Sequence, residues 1–361
     1  MPGMDPLRHH GDVDAAAGLL DFAVNVRGGA PPRWLRARLV AALDDLARYP
    51  SAEHDAQARA AVAARHGGPS DEVLILAGSA EGFALLPALR PRLAAVVHPG
   101  FTEPEAALRA AGIPVVRVLT DAVDGHRLRP DAVPADADLV VIGNPTNPTG
   151  VLHPAAALRA LRAPGRVVLV DEAFADAIAG EAESVAGEEG FLVFRSLTKT
   201  WALAGLRAGY ALGSPDVLAR LAAPRPPWPV STLALEAVIA CSAPDAVAEA
   251  DAVARALVVQ RAEQAAALAA VPGVTVLPGR APFLLLRLPD GQGERVRSAL
   301  RAAGIAVRRG DTFPGLGPDY LRVAVRDADA VARLVEALSA ALGARARKPS
   351  PEQRYSRTGA A

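Results

Sequence analysis

Apolar runs of four or five residues alternate with helical stretches through the middle of the chain. Val73 to Leu76, Ala94 to Val97, Val115 to Leu119, Asp138 to Ile142 and Arg166 to Val170 read as strands. Between them, an apolar segment after Gly82 and the stretches 103–111 and 154–162 carry helical patterns. Short runs without polar alternation, separated by helices, predict parallel strands buried on both faces. Phe191 to Arg195 and Gly209 to Leu212 extend the series. The spacing predicts helices at about 32–46 and 54–66, the second stopped by Gly67-Gly68-Pro69.

After Leu212 the pattern changes. Helices are predicted from about 215 to 270, with a break at Pro224 to Pro229. A smaller alternating unit follows, with strands near 282–288, 305–308 and 320–325. The predicted architecture is α/β: a large domain with a mostly parallel sheet covered by helices, plus a smaller α+β domain. The division is an N-terminal arm and part of the small domain over 1–44, and a large domain over 45–213. Interdomain helices and the small domain occupy 214–343, and a polar tail expected to be disordered occupies 344–361.

Composition narrows the function classes. Acidic and basic residues balance at 39 each, so no overall field favours nucleic acid or an anionic membrane. One cysteine, Cys241, excludes an internal disulfide framework and suits a reducing compartment, where its simplest role is a small buried apolar residue. No signal-peptide order and no long uninterrupted apolar window appear. These features predict a cytoplasmic protein.

The basic residues are uneven in kind. Of the 39, only Lys199 and Lys348 are lysine. Arginine cannot replace lysine where a neutral amine must attack a carbonyl, because a guanidinium keeps its proton. Lys199, in the polar turn Ser196 to Thr200 after an apolar strand, therefore points to a Schiff base with a carbonyl cofactor such as pyridoxal phosphate. The alternative is a surface lysine without a role.

Other polar clusters also follow strands, where open α/β sheets collect ligands. Two of the chain's three asparagines lie in Gly143 to Gly150, which reads Gly-Asn-Pro-Thr-Asn-Pro-Thr-Gly. That segment is either a tight connection or a site in which the Asn147 amide donates to a ring oxygen. Asp171 ends a strand; it either caps the next segment or keeps a pyridine nitrogen protonated. Gly78-Ser79-Ala80-Glu81 opens a helix after a strand, a weak phosphate signal. Ser196, Thr198 and Arg207 offer further phosphate donors. Phe101 is either a core residue or the face on which a cofactor ring lies. Arg322, on an apolar strand, is a candidate carboxylate clamp, and Arg308 a candidate for a second anion.

Together these pieces resemble the fold-type I pyridoxal-phosphate enzymes, the aspartate aminotransferase superfamily. Within it the chain is similar to the branch of histidinol-phosphate aminotransferase and threonine-phosphate decarboxylase. The motifs are Asn-Pro-Thr-Asn-Pro-Thr-Gly (144–150), Asp-Glu-Ala-Phe (171–174), Arg-Ser-Leu-Thr-Lys (195–199) and Gly-Leu-Arg-Ala-Gly-Tyr (205–210). The resemblance implies that Lys199 bonds the cofactor, Asp171 binds its pyridine nitrogen, Asn147 its ring hydroxyl, and Phe101 its face. It assigns Ser79, Ala80, Ser196, Thr198 and Arg207 to the cofactor phosphate, and no metal. Tyr49 would reach the phosphate in a partner subunit, which implies a homodimer with shared active sites. Arg322 would take the substrate α-carboxylate, with His10, Asn25 and Arg308 completing a substrate-facing set.

Several residues resemble the decarboxylase more than the aminotransferase. Phe174 stands where aminotransferases of this branch commonly carry tyrosine. His10-Gly11, Leu20 to Asn25, Pro227-Trp228-Pro229 and the spacing from Arg308 to Arg322 follow the decarboxylase. Gly78-Ser79-Ala80-Glu81-Gly82 follows the aminotransferase, and Asp12 replaces a glycine of the decarboxylase's His-Gly-Gly. The reading from sequence is decarboxylation of threonine phosphate in cobalamin synthesis. Its alternatives are transamination of the histidinol-phosphate type and a regulatory protein that holds the cofactor without turnover.

Overall fold

A computed structural model describes residues 6–343. The expected tail, 344–361, lies outside the described residues. The N-terminal segment carries α1 (Gly11–Asp14), β1 (Leu20–Asp21), α2 (Arg33–Ala41) and α3 (Ala52–His66). The Ser51 hydroxyl caps α3 by accepting from His54 N at 3.0 Å, and Gly67, at φ +72°, ends it.

The large sheet is built from β2 (Val73–Leu76), β3 (Ala94–His98), β4 (Val115–Leu119), β5 (Leu139–Gly143), β6 (Val167–Asp171), β7 (Phe191–Ser196) and β8 (Gly209–Leu212). Between these strands run α4 (Ser79–Leu85), α5 (Glu103–Ala110) and α6 (Ala155–Arg159). The strand order is β2-β8-β7-β6-β5-β3-β4, parallel except for β8, which runs against both neighbours. Alternate strand residues go to opposite faces. Ile75, Val97, Val140, Val168 and Val193 pack with Val62 of α3 on one side. Leu76, Val96, Val141, Leu169 and Phe194 pack with Phe83 of α4 and Leu108 of α5 on the other. Burial of both faces is why these strands read as continuous apolar runs.

Beyond the sheet come α7 (Pro215–Ala222), α8 (Thr232–Ser242) and the long α9 (Pro244–Ala269). Then follow β9 (Thr275–Val276), β10 (Phe283–Arg287), α10 (Gly293–Ala302), β11 (Ile305–Ala306), β12 (Arg308–Arg309), β13 (Tyr320–Ala324) and α11 (Ala328–Gly343). A four-stranded antiparallel sheet, β12-β13-β10-β9, packs through Leu284, Leu286 and Val323 on Leu334 and Leu338 of α11. Helix α9 joins the two cores, with Ala246 and Ala250 in the first and Leu268 in the second. The arm returns to the small sheet, where β1 pairs in parallel with β11.

Two elements differ from the pattern read in the sequence. The helix expected to 46 ends at Ala41, and Leu43–Ala47 form a tighter 3-10 turn. Leu43 and Leu46 of that turn are exposed, so the apolar positions that suggested helix face no core of their own chain. The strand expected at 305–308 is two strands. Val307 is buried at the junction, where the chain leaves β1 as a partner and takes β13.

Candidate active site

The parallel strands bring their carboxyl ends to one edge, and the turns there surround a cavity of about 440 Å³. Ser79 and Ala80 follow β2, Phe101 follows β3, Asn147 follows β5, Asp171 ends β6, and Ser196, Thr198 and Lys199 come from the end of β7. Arg207 enters before antiparallel β8, whose first residue lies at the same edge. His10, Asn25, Arg308 and Arg322 close the cavity from the arm and the small sheet. The fold thus brings together every site residue named from the sequence except Tyr49. Tyr49 is 74% exposed, stacks on Trp228 at 4.2 Å and lines a separate groove.

Lys199 and Asp171 face a shared interior. Burial, with Arg322 and Arg207 adding to it, lowers the Lys199 pKa to about 8, against the opposing pull of Asp171. Burial raises the Asp171 carboxyl to about 7, although it accepts from Ala173 N at 3.2 Å and feels Lys199. The same 3.2 Å bond gives Asp171 the local capping contact expected of an aspartate ending a strand.

Arg207 is seated by two glycines. A Cβ on Gly209 would lie 2.6 Å from Arg195 O and 3.2 Å from Ser79 N, and one on Gly78 would lie 2.7 Å from Arg207 Nη2. Gly78 is at φ +77° and Arg207 itself at φ +60°. The guanidinium donates to Ala204 O at 3.1 Å and has no carboxylate partner among the described residues. With the hydroxyls of Ser79, Ser196 and Thr198 beside it, this end of the cavity has the donor set of a phosphate site.

A second unpaired guanidinium, Arg322, sits on β13. It donates to Asn147 Oδ1 at 2.7 Å and to Ala23 O, while its buried Nε has no hydrogen-bond partner. Its charge lies over the Phe283 ring, 5.4 Å from the centroid. Because the Asn147 carbonyl faces Arg322, its NH₂ is left for another acceptor. Phe174 forms a wall, 5.1 Å from Phe283 and 6.0 Å from Lys199 Nζ. Phe101 lies between His10 and Phe83, each 5.6 Å away. Two guanidinium groups without carboxylate partners among the described residues, an amine, an acid and an aromatic face fit pyridoxal phosphate with an acidic substrate beside it.

Arg308 is differently placed from Arg207 and Arg322. It donates to His9 O at 2.7 Å, lies 3.6 Å from the Asp14 carboxylate and stacks 4.7 Å over Phe313. His10 pairs with Glu103 at 2.6 Å. The Asn25 side-chain oxygen is buried without a partner.

Two supporting structures were missing from the sequence reading. Arg195, buried in β7, pairs with Glu172 at 3.1 Å, with Asp176 at 2.8 Å and with Glu181. Arg65 of α3 shares Asp176 at 2.8 Å and Glu181. An arginine inside an apolar strand was the available signal, since a buried charge requires partners. The second structure is His153. Its Nδ1 accepts from Leu128 N at 3.3 Å, so Nε2 donates to Thr146 Oγ1 at 3.1 Å, and Thr146 passes its hydrogen to Gly143 O at 2.7 Å. Burial lowers His153 to about 4, which keeps the neutral tautomer this chain of bonds needs. Asn144 ties the same loop to the His153 backbone at 2.8 and 3.2 Å.

Among the described residues, no helix is long and apolar enough to cross a membrane, and no group of metal-binding side chains occurs. Residues 17–338 match the family described as aminotransferase class I and II. A histidinol-phosphate aminotransferase of Mycobacterium tuberculosis is 56% identical over 321 residues, covering 88% of this chain and 87% of the relative. Threonine-phosphate decarboxylase of Salmonella typhimurium is 33% identical over 332 residues, covering 89% and 90%. The solved histidinol-phosphate aminotransferase of Clostridium acetobutylicum superposes with a TM-score of 0.81, covering 89% of this chain and 98% of that one. At 23% identity it speaks for the fold alone.

Proposed function

The chain belongs to the class I and II aminotransferases, pyridoxal-phosphate enzymes of fold type I, and on that premise we propose that it transfers the amino group of a phosphorylated amino compound to a keto acid, as a histidinol-phosphate aminotransferase does. The sequence reading put decarboxylation first. The 56% identity to a relative named for transamination, against 33% to one named for decarboxylation, moves the preference.

When bound, pyridoxal phosphate supplies an electron sink that makes a bond to the substrate α-carbon labile. Arg207, Ser79, Ser196 and Thr198 hold its phosphate, Asp171 its ring nitrogen, the Asn147 amide its ring oxygen, and Phe101 its face. Lys199 Nζ, with its pKa near 8, has an appreciable neutral fraction near neutral pH. That neutral amine can take the α-proton of the substrate and hold it at Nζ. Arg322 would bind the acid group of the substrate and so fix how the α-carbon is presented to Lys199. The two guanidinium groups without a carboxylate partner among the described residues, Arg207 and Arg322, lining one cavity with Lys199, are the observation that carries this reading.

Purified enzyme with histidinol phosphate and 2-oxoglutarate is expected to form glutamate. Carbon dioxide release from O-phosphothreonine without any keto acid, and no glutamate formation, would overturn it. Decarboxylation stays as the second reading because Phe174 offers no hydroxyl to the ring side of the cavity. We further propose a homodimer in which Tyr49 serves the partner's site. Exposed Val40, Leu43, Leu46 and Tyr49, with Trp228 stacked on Tyr49, support that surface.

A further inference from the structure

The turn that offers Ser79 to the cavity is held from behind. Glu81 lies two residues beyond Ser79, and its carboxylate folds back across the turn to accept from Ala77 N at 2.6 Å. Its own N–H donates to Gly78 O at 3.1 Å. A carboxylate at this place in a helix commonly reaches back to the residue that opens it. Here it reaches one residue further, to the last residue before Gly78 at φ +77°.

The carboxylate also has a distant partner, which a local cap would not need. Arg225, 144 residues along the chain, donates Nε to Oε1 at 2.9 Å and Nη2 to Oε2 at 3.0 Å. The same Nη2 donates to Ile75 O at 2.9 Å on β2, the outer strand of the large sheet. The Arg225 and Glu81 side chains are only 9% and 19% exposed. Pro224 and Pro226 flank Arg225, and their fixed φ narrows the paths the connecting segment can take.

What this pair holds is in contact with the cavity's phosphate donors. A Cβ on Gly78 would lie 2.7 Å from Arg207 Nη2, and one on Gly209 would lie 3.2 Å from both Gly78 Cα and Ser79 N. A shift of the turn from Ala77 to Ser79 therefore displaces Ser79 and Arg207 together. Charge matters as well as shape. Glu81 stands two residues from Ser79, and without Arg225 its carboxylate would repel an anion seated there.

We infer that Glu81 is a positioning residue for the cofactor phosphate, with Arg225 as the counter-ion that lets a carboxylate stand behind that seat. The inference rests on the assignment of Ser79 and Arg207 to the phosphate, and it holds for transamination and decarboxylation alike.

The test compares two ligands on the full-length apo protein. Pyridoxal phosphate and pyridoxal, which lacks the phosphate, are titrated by equilibrium dialysis, and the ratio of their dissociation constants is the readout. Glu81→Ala is expected to weaken pyridoxal phosphate about tenfold, the scale of one hydrogen bond to a charged group, and pyridoxal by no more than about twofold. Glu81→Gln, whose amide oxygen can still accept from Ala77 N, should limit the loss to about threefold. Arg225→Met, which strands the carboxylate, should also weaken pyridoxal phosphate about threefold and spare pyridoxal. It leaves the turn's own sequence intact, so it decides the matter if Glu81→Ala does not fold. An unchanged ratio in either Glu81→Ala or Arg225→Met, or equal weakening of both ligands, overturns the inference. An Arg207→Met variant that kept the wild-type ratio would instead show that the phosphate sits elsewhere, which removes the premise and not only the role of Glu81.

Discussion

Lys199 and Asp171 are held close to the pH at which each changes charge, and the apo protein should carry that signature. The Asp171 carboxyl is raised from an ordinary 3.8 to about 7 by burial. The folded apo chain keeps a proton that the unfolded chain has released, so folding gains nothing from this group below pH 3.8. Stability then falls as pH rises toward 7 and stays reduced above it. Asp171→Asn removes the effect. At pH 8 the apo variant should be more stable than wild type by about 2–4 kcal/mol, and equal to it near pH 3.5, in urea melts. A constant difference across pH would show that the carboxyl is not held in this environment. With cofactor added the order should reverse, since the variant loses the partner of the ring nitrogen. Lys199 was legible in the sequence because the chain uses lysine so rarely. The state of its amine was not, since that depends on burial and on Arg322 and Arg207, more than 100 and only 8 residues away respectively.

At the scale of elements, two buried networks fix the turns that carry the site. Arg195 ties the end of β7 to Glu172, next to Asp171, and to Asp176 and Glu181. Removing one partner leaves charges buried without compensation, so Arg195→Met is expected to lose about 3–5 kcal/mol in urea melts. A loss within 1 kcal/mol, a threshold of about one net hydrogen bond, would contradict this. His153 locks Thr146 and so the turn that presents Asn147. His153→Phe is expected to weaken pyridoxal-phosphate binding about tenfold with far-ultraviolet circular dichroism unchanged, and His153→Gln, which keeps an N–H donor, to recover part of it. Unaltered cofactor affinity in the phenylalanine variant would make His153 a packing residue only. The strands were legible because burial on both faces leaves a continuous apolar run. These networks were not. Their partners come from different elements, and neither Arg195 nor His153 has a local sequence pattern that names a partner. The split at Val307 was hidden for the same reason, since strand pairing is a long-range choice.

At the scale of the molecule, two cores meet around one cavity, and the arm, through β1 and residues 9 to 14, is the piece that closes it. The motifs made the class of site readable from sequence, whereas the absence of a carboxylate partner for Arg207 and Arg322 among the described residues required the folded arrangement of all three parts. The exposed Tyr49–Trp228 stack defines the remaining surface. Wild type is expected to sediment as a dimer. Lys199→Ala and Tyr49→Ala, each poorly active alone, should regain activity when unfolded together and refolded as hybrids, because one mixed site has both residues. A monomer with full activity, or no recovery in hybrids, would contradict the shared site.

The central claim is that Lys199 and the residues around it move an amino group rather than release carbon dioxide. A single turnover without keto acid tests it most directly. Holoenzyme is mixed with excess histidinol phosphate, and keto product and cofactor are measured together. The account predicts one keto product per site, cofactor recovered as pyridoxamine phosphate, and a halt until 2-oxoglutarate is added. Continuous carbon dioxide release from O-phosphothreonine, with the cofactor left as pyridoxal phosphate and no keto product from histidinol phosphate, would contradict it.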